Sequence, residues 1–247
     1  MDTTYIFKRV EKKYLLTNEQ YRMLFARIGM RLKPDRFGRS TVISLYLDTP
    51  DHLLIRNSID ATVYKEKLRL RSYGTPNADT VVYLELKKKF EGVVYKRRVA
   101  MKLADAERYF RTGEKPFCNQ VISEIDYAMR FYGRPLPAML IACEREAWFD
   151  DAHPDLRLTF DSSIRYRESN LKLSLGSAGI ILIPDSTKLL EIKTGGAMPL
   201  WLVHALEECQ IVSTSFSKYG TAYLRTLQPS ASDDTTMEGG IRHVSNL

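Results

Sequence analysis

Lys65-Glu-Lys-Leu-Arg-Leu-Arg71 sets Lys65, Lys67, Arg69 and Arg71 at strict two-residue spacing, with Glu66, Leu68 and Leu70 between them. Successive side chains of a β-strand point to opposite faces, so a strand here carries four cations on one face and mostly apolar groups on the other. A helix would scatter the cations, because its period is not two. One such strand fits a half-exposed sheet with a solvated basic face as well as any other arrangement. What separates the readings is that the pattern recurs.

Downstream, Val81 to Lys89 alternates Glu85, Lys87 and Lys89 with Leu84 and Leu86. Glu91-Gly92 reads as a two-residue hairpin turn. That turn sets Lys87 opposite Lys96, and Glu85 opposite Arg98, on a returning strand from Val94 to Lys102. Upstream, Tyr5 to Leu15 reads as a strand with Arg9, Glu11 and Lys13 on one face. Thr17-Asn-Glu-Gln20 has the form of a capping box. It opens a helix that carries Tyr21, Leu24, Phe25 and Ile28 on its apolar face and ends at Gly29. Thr41 to Leu47 predicts another strand, followed by a short helix around His52 to Asn57. Asp105 to Arg111 and Asn119 to Phe131 predict helices. Three further strands follow: Ala138 to Phe149 with Arg145, Leu156 to Asp161 with Arg157, Thr159 and Asp161 on one side, and Lys188 to Thr194 with Glu191 and Lys193 on one face. They bring the main strands to eight, and Ile180 to Ile183 predicts a short extra one. Pro199 suits the first turn of a helix through Glu208, and Ser217 to Leu227 predicts the last helix. From Pro229 the sequence is polar and aperiodic, so residues 1–228 are expected to form one domain and 229–247 a disordered tail.

The 247 residues carry a net charge of +7. Between Lys65 and Lys102 there are eleven Lys or Arg against four Asp or Glu, an excess equal to that of the whole chain. A field concentrated in this way implies an anionic partner. The longest apolar run, around Ile180 to Ile183, is too short to span a bilayer, and Met1 opens no signal pattern. The three cysteines and four histidines lack metal-type spacing. A cytoplasmic protein without a transmembrane segment is expected. No P-loop is present, which excludes a conventional NTPase site. Nucleic-acid binding needs an outward basic face with stacking aromatics, whereas Trp148, Phe160 and Trp201 read as packing residues, so no nucleic acid is expected as a partner.

At least six strands set ionisable groups on one face and apolar groups on the other. An ordinary barrel or sandwich would bury the apolar face and wet the charged one. Three features point the other way. The helices carry apolar stripes that need an apolar sheet surface to cover, which leaves the charged faces to line the interior. The charged sets repeat a mixed-sign arrangement: Glu11-x-Lys13, Glu85-x-Lys87 and Glu191-x-Lys193. Arginines crowd the strands at Arg69, Arg71, Arg98, Arg145 and Arg157. The fold class expected is α+β, an eight-stranded antiparallel β-barrel with helices packed outside and a charged interior.

Like charges opposite each other destabilise a sheet, so Lys87 against Lys96 needs a counterion. Such an interior would be intolerable when dry. It is reasonable when wet and built to hold a polyphosphate with its metal ions. Arg grips phosphate with two donors and Lys supplies point charge. Carboxylates such as Glu11, Glu85 and Glu191 suit Mg²⁺ or Mn²⁺.

Six motifs carry a family resemblance: Arg9-x-Glu11-x-Lys13-Tyr14, Tyr64-Lys-Glu-Lys-Leu-Arg-Leu-Arg-Ser-Tyr-Gly74, Leu84-Glu-Leu-Lys-Lys-Lys89, Lys96-Arg-Arg98, Glu191-x-Lys193 and Phe216-Ser-Lys-Tyr219. In this order they resemble the vacuolar transporter chaperone (VTC) domain, the polyphosphate-polymerase branch of the CYTH-like triphosphate tunnel metalloenzymes, over roughly residues 5 to 228. The resemblance implies an antiparallel tunnel in which the γ-phosphoryl group of ATP is transferred to a growing polyphosphate chain, with Mn²⁺ or Mg²⁺ as cofactor. Carried over by position, Arg69, Arg71, Lys87, Arg145 and Lys218 are phosphate ligands, and Lys193 joins them as a catalytic candidate. Glu191 is the metal ligand, with Glu11 and Glu85 as further candidates. Arg9, Lys13, Lys65, Lys67, Lys96, Arg98, Arg157 and Ser217 are the substrate-binding candidates. Catalytic members of the family have Lys where this chain has Ser215, and Tyr where it has Cys143. A tunnel triphosphatase acting on triphosphate or NTPs, and a non-catalytic polyphosphate-binding module, are the alternatives. A membrane-protein partner and the oligomeric state stay open.

Overall fold

The structure is a computed structural model that describes residues 10–60, 63–91 and 93–227. Its strands are β1 (Val10–Thr17), β2 (Leu32–Asp48), β3 (Tyr64–Tyr73), β4 (Val81–Phe90), β5 (Val93–Lys102), β6 (Leu136–Asp150), β7 (Arg157–Arg167), β8 (Ile180–Ile181) and β9 (Thr187–Thr194). The helices are α1 (Asn18–Ile28), α2 (Leu53–Ile59), α3 (Leu103–Thr112), α4 (Gln120–Phe131), α5 (Leu200–Glu208) and α6 (Lys218–Thr226). Arg9, the strand residues before it, Gly92 of the hairpin turn and the expected tail lie outside the described residues.

Local chemistry accounts for the element boundaries. The Thr17 side chain accepts from the Gln20 amide and the Gln20 side chain accepts from the Thr17 amide, each at 3.1 Å, so α1 opens with the expected capping box. Asn119 caps α4 by accepting from Ile122 N at 2.9 Å. Gly113 ends α3 in the left-handed conformation, φ 75°, where a side chain would be strained.

Eight strands form one antiparallel path, β1-β9-β7-β6-β2-β3-β4-β5, and β8 pairs with β7. The β4–β5 hairpin has the expected register, Lys87 opposite Lys96 and Glu85 opposite Arg98. The first and last strands of the chain lie side by side, with Glu11 opposite Lys193 and Lys13 opposite Glu191. Among the described residues no ladder joins β1 to β5, so the sheet curls without closing.

The apolar faces lie under the helices, as the alternation predicts. Leu68, Leu70, Leu84 and Leu86 are fully buried with Ala106 and Tyr109 of α3 and Ile122 and Ile125 of α4. Leu158, Phe160, Leu190 and Ile192 pack with Leu24 and Ile28 of α1 and with Leu202 and Leu206 of α5. Fully burying such a side chain contributes about 1.5–3 kcal/mol, so these faces fix which way each strand turns. One helix goes elsewhere. Tyr219 of α6 stacks on Tyr46 of β2 at a centroid distance of 4.5 Å, and Ala222 and Tyr223 share a buried cluster with Val42, Ile141 and Cys143. By parity these partners stand on the charged, concave side of the sheet. Helices therefore cover the outside, and α6 fills part of the inside where the inner face of β2 and β6 is apolar.

Candidate active site

What remains of the concave side is a cavity of about 130 Å³. β3 supplies Lys67, Arg69 and Arg71, β4 supplies Lys87, and β6 supplies Arg145. From the terminal strands come Glu11, Lys13, Glu191 and Lys193, and Ser217 and Lys218 enter at the start of α6. Eleven of the residues singled out in the sequence thus meet in one space.

Its carboxylates are crowded by cations. Glu191 has Lys218 at 3.4 Å, Lys193 at 3.5 Å, Lys13 at 3.8 Å and Arg145 at 4.0 Å. Burial works to raise its pKa, but Lys218, Lys193, Arg145 and Lys13 outweigh it and hold the carboxyl well below the ordinary range. Glu11 lies 3.5 Å from Lys13 and 3.6 Å from Lys87. Burial opposes its ionisation, yet Lys87 and Lys193 keep its pKa low.

Glu85 is placed differently. It is fully buried and takes Arg69 Nε at 2.7 Å, Lys96 Nζ at 2.7 Å and Arg98 Nε at 3.3 Å. In this structure it is a counterion for three cations, behind the cavity wall. Lys96 and Arg98 are held there with it, and Arg98 also lies over the Tyr83 ring at 3.7 Å. Lys65 lines an outer slot next to the cavity and donates to the Ser58 carbonyl at 2.9 Å. Arg157 does not reach the cavity. It donates to the Pro154 and Leu156 carbonyls at 2.7 and 3.1 Å, where β7 begins.

Two residues at the site, Asp161 and Tyr46, were missed as candidates. Asp161 is fully buried, accepts from Arg145 Nε and Nη2 at 2.6 and 2.7 Å, and pairs with Lys218 Nζ at 2.6 Å. Its inward parity was legible. The two partners that give it a role come from β6 and α6, and no spacing in the sequence joins them. Tyr46 was also unforeseen: burial would raise its phenol, but Arg69, Lys67 and Arg71 bring it down to about 8. Cys143 lines the cavity as a neutral thiol, pushed up to about 12 by burial and by Asp161.

Two cations stand apart. Arg71 is only 9% exposed and donates to Ser44 Oγ at 3.3 Å. Lys67 donates to Ser217 Oγ at 3.0 Å, and burial brings its pKa down to about 8. Among the described residues no carboxylate pairs with either. A buried cation without a counter-charge is costly unless an anion completes it.

A family model of the VTC domain matches residues 8–227. The chain belongs to the VTC domain family. No curated protein matches it. Among solved structures, a "putative adenylate cyclase" from Bacillus halodurans is 13% identical, covering 85% of this chain and 93% of that chain at a TM-score of 0.54. A protein of the same description from Vibrio parahaemolyticus is 11% identical, covering 89% and 99% at a TM-score of 0.48. A third, from Hippeastrum, with a dominant triphosphatase activity, is 16% identical and covers 90% and 98% at a TM-score of 0.48. At such identities the first of these bears on fold alone, and that fold is the CYTH-like triphosphate tunnel.

The donor set of this VTC domain suits a hard divalent ion of the kind tunnel enzymes use. Glu191 and Glu11 offer only oxygen, and both face the cavity. Among the described residues there is no cluster of three or more His, Cys, Asp or Glu that could cage an ion by itself. Mg²⁺ is commonly held by one or two carboxylates together with substrate phosphates, which fits two carboxylates set among lysines and arginines. No helix of the described residues is long and apolar enough to cross a membrane.

Proposed function

We propose that this VTC domain is a metal-dependent polyphosphate polymerase, moving the γ-phosphoryl group of ATP to the end of a polyphosphate chain. The observation that carries the reading is the pair Arg71, buried, and Lys67, partly buried, which face the cavity with hydroxyl partners and, among the described residues, no carboxylate within ion-pair distance. They form an anion seat that Glu85 reaches only at a distance, on the Arg71 side, so that a ligand can supply the paired counter-charge.

Phosphoryl transfer asks a protein mainly for positioning and charge neutralisation. Arg71 and Lys67 seat the phosphoryl oxygens, and Arg69, held by Glu85, adds fixed positive charge beside them. Arg145 and Lys218, fixed by Asp161, face the same space. A chain-end phosphate oxygen forms the new P–O bond to the γ-phosphorus, the bond to the β-phosphate oxygen breaks, and ADP leaves. A divalent ion held by Glu191 and Glu11 would neutralise charge on the phosphate oxygens. Water in place of the chain end gives a triphosphatase, a second reading favoured by the half-exposed Lys87, which lines the cavity.

The test is purified protein with ATP and Mn²⁺ or Mg²⁺, run on a gel that resolves polyphosphate lengths. A ladder of chains is the expected result. Orthophosphate without chains would make it a triphosphatase, and tripolyphosphate binding without turnover would make it a binding module.

A further inference from the structure

Among the described residues β1 and β5 end the path of the sheet without pairing with each other, β1 being bridged on its outer side only at Tyr14 to Ser213, and both border one cavity. This outer slot, of about 420 Å³, is lined on one side by Lys12 and Lys13 and on the other by Lys89 and Val94. It shares Lys67 and Lys87 with the inner cavity, so the two are continuous. The stretch from Ser213 to Ser217 runs along the outer edge of β1, with Thr214 N donating to the Lys13 carbonyl at 2.8 Å, and leaves the β5 side open.

Exposure follows the same geometry. On the β4–β5 side the Lys87 and Lys96 side chains are 41% and 42% exposed, while Arg145 and Glu191, across the cavity, are 14% and 10% exposed. The cavity is therefore more open at Lys87, which also lines the outer slot, than at Arg145 and Glu191. Among the described residues one ion pair runs across the slot, Glu11 to Lys87 at 3.6 Å, between partly exposed groups. Exposed pairs contribute about 0–1 kcal/mol, so a polyanion that takes Lys87 displaces Glu11 at little cost. The rim carries lysines on both sides, and α6 occupies part of the concave space.

We infer that a polyphosphate chain is loaded sideways, through the seam between β1 and β5, so that a chain without a free end can bind. This rests on the polyphosphate reading given above. It concerns the route of entry: the chain is laid in by its middle, not threaded by its tip.

The test uses the full chain and three probes: tripolyphosphate, long polyphosphate with free ends, and long polyphosphate with both ends coupled through biotin to streptavidin. A second protein, Lys12→Cys with Val94→Cys in a Cys118→Ser background, is bridged across the seam with a bismaleimide. The end-blocked chain should bind the unbridged protein as the free-ended chain does. Bridging should weaken the end-blocked chain by about tenfold or more, corresponding to ~1.4 kcal/mol, and leave tripolyphosphate unchanged. An end-blocked chain that fails while the other two probes bind overturns sideways loading and leaves the polyphosphate reading standing. A bridged protein that still holds the end-blocked chain also overturns it, since that binding is to the outer surface. Loss of all three probes removes both.

Discussion

Asp161 shows how much can rest on one carboxylate. It holds Arg145 through two hydrogen bonds and Lys218 through a third contact, with no exposure to solvent. Replacing it with Asn leaves two buried cations short of a charge, and breaking a buried pair from one side costs about 3–5 kcal/mol. Asp161→Asn is therefore expected to lower the melting temperature, and tripolyphosphate should raise it further in the variant than in the wild type, because the ligand replaces the missing charge. Equal shifts in scanning fluorimetry would contradict that account. Glu191→Gln separates catalysis from binding. If Glu191 holds the metal, turnover of ATP should fall by several orders of magnitude while metal-free tripolyphosphate still binds, because the ion's charge stabilisation is lost. Wild-type turnover would refute the role. Lys67 gives a pH signature. Burial, with Lys13 and Lys87 nearby, brings it down to about 8, and a bound phosphate favours its charged form. Tripolyphosphate affinity should hold below that pH and fall as pH rises through it. The apo protein should behave oppositely: above about 8 its unfolded state binds more protons than its folded state, so Lys67 makes stability rise with pH. Calorimetry at several pH values checks both. A chain can advertise inward lysines and arginines by parity alone, as this one does. It does not show which of them remain unpaired, because Glu85 takes three cations across two ladders while, among the described residues, Arg71 and Lys67 pair with no carboxylate.

Strands and helices were legible to the extent that their local signals were complete. The hairpin turn fixed the β4–β5 register, and the capping residues fixed the starts of α1 and α4. Two strands run further than the alternation suggests. β2 begins at Leu32, well before Thr41, and a register shift between Pro34 and Arg39 lets it keep pairing with β6. β7 continues past Asp161 because its register shifts against β6 and Ser163 takes a positive φ of 46°. Parity also says nothing about height along the barrel, which is why Arg157 shares a face with Asp161 yet ends on loop carbonyls. The placement of α6 on the concave side was not legible, since its apolar stripe fits either surface. A single hook helps to hold it there: Tyr219 donates to the buried Asp48 at 2.8 Å, and Asp48 also accepts from the Leu54 and Ile55 amides that open α2. Hydrogen bonds to charged groups contribute about 1.5–3 kcal/mol. Tyr219→Phe should cost about that much in urea denaturation. It should also weaken tripolyphosphate binding, because Ser217 and Lys218 start the same helix. Unchanged binding would mean that packing alone positions them.

Taken whole, the molecule is a shell held by apolar faces around an interior held by charge. The interior carboxylates Glu11, Glu85, Asp161 and Glu191 all have pKa values below the ordinary range, because the cations around them outweigh burial. Their contribution to stability is fully present above the unfolded carboxylate pKa, about 4, and is lost as pH falls below it. Thermal melts should therefore be flat against pH just above that value and drop steeply below it. A decline beginning near neutral pH would point to some other group. The same shell has a history in time, set by the pairing of β1 with β9. During synthesis the first strand leaves the ribosome long before its neighbour does, and pairing between distant segments forms slowly. Glu11 and Glu191 thus meet only after β9 has emerged. A nascent chain stalled before Thr187 presents β1 as a bare edge, which is a template for unwanted pairing. It should stay open to proteases across Val10–Thr17 until β9 emerges, so that the site comes into being only once both strands have been made.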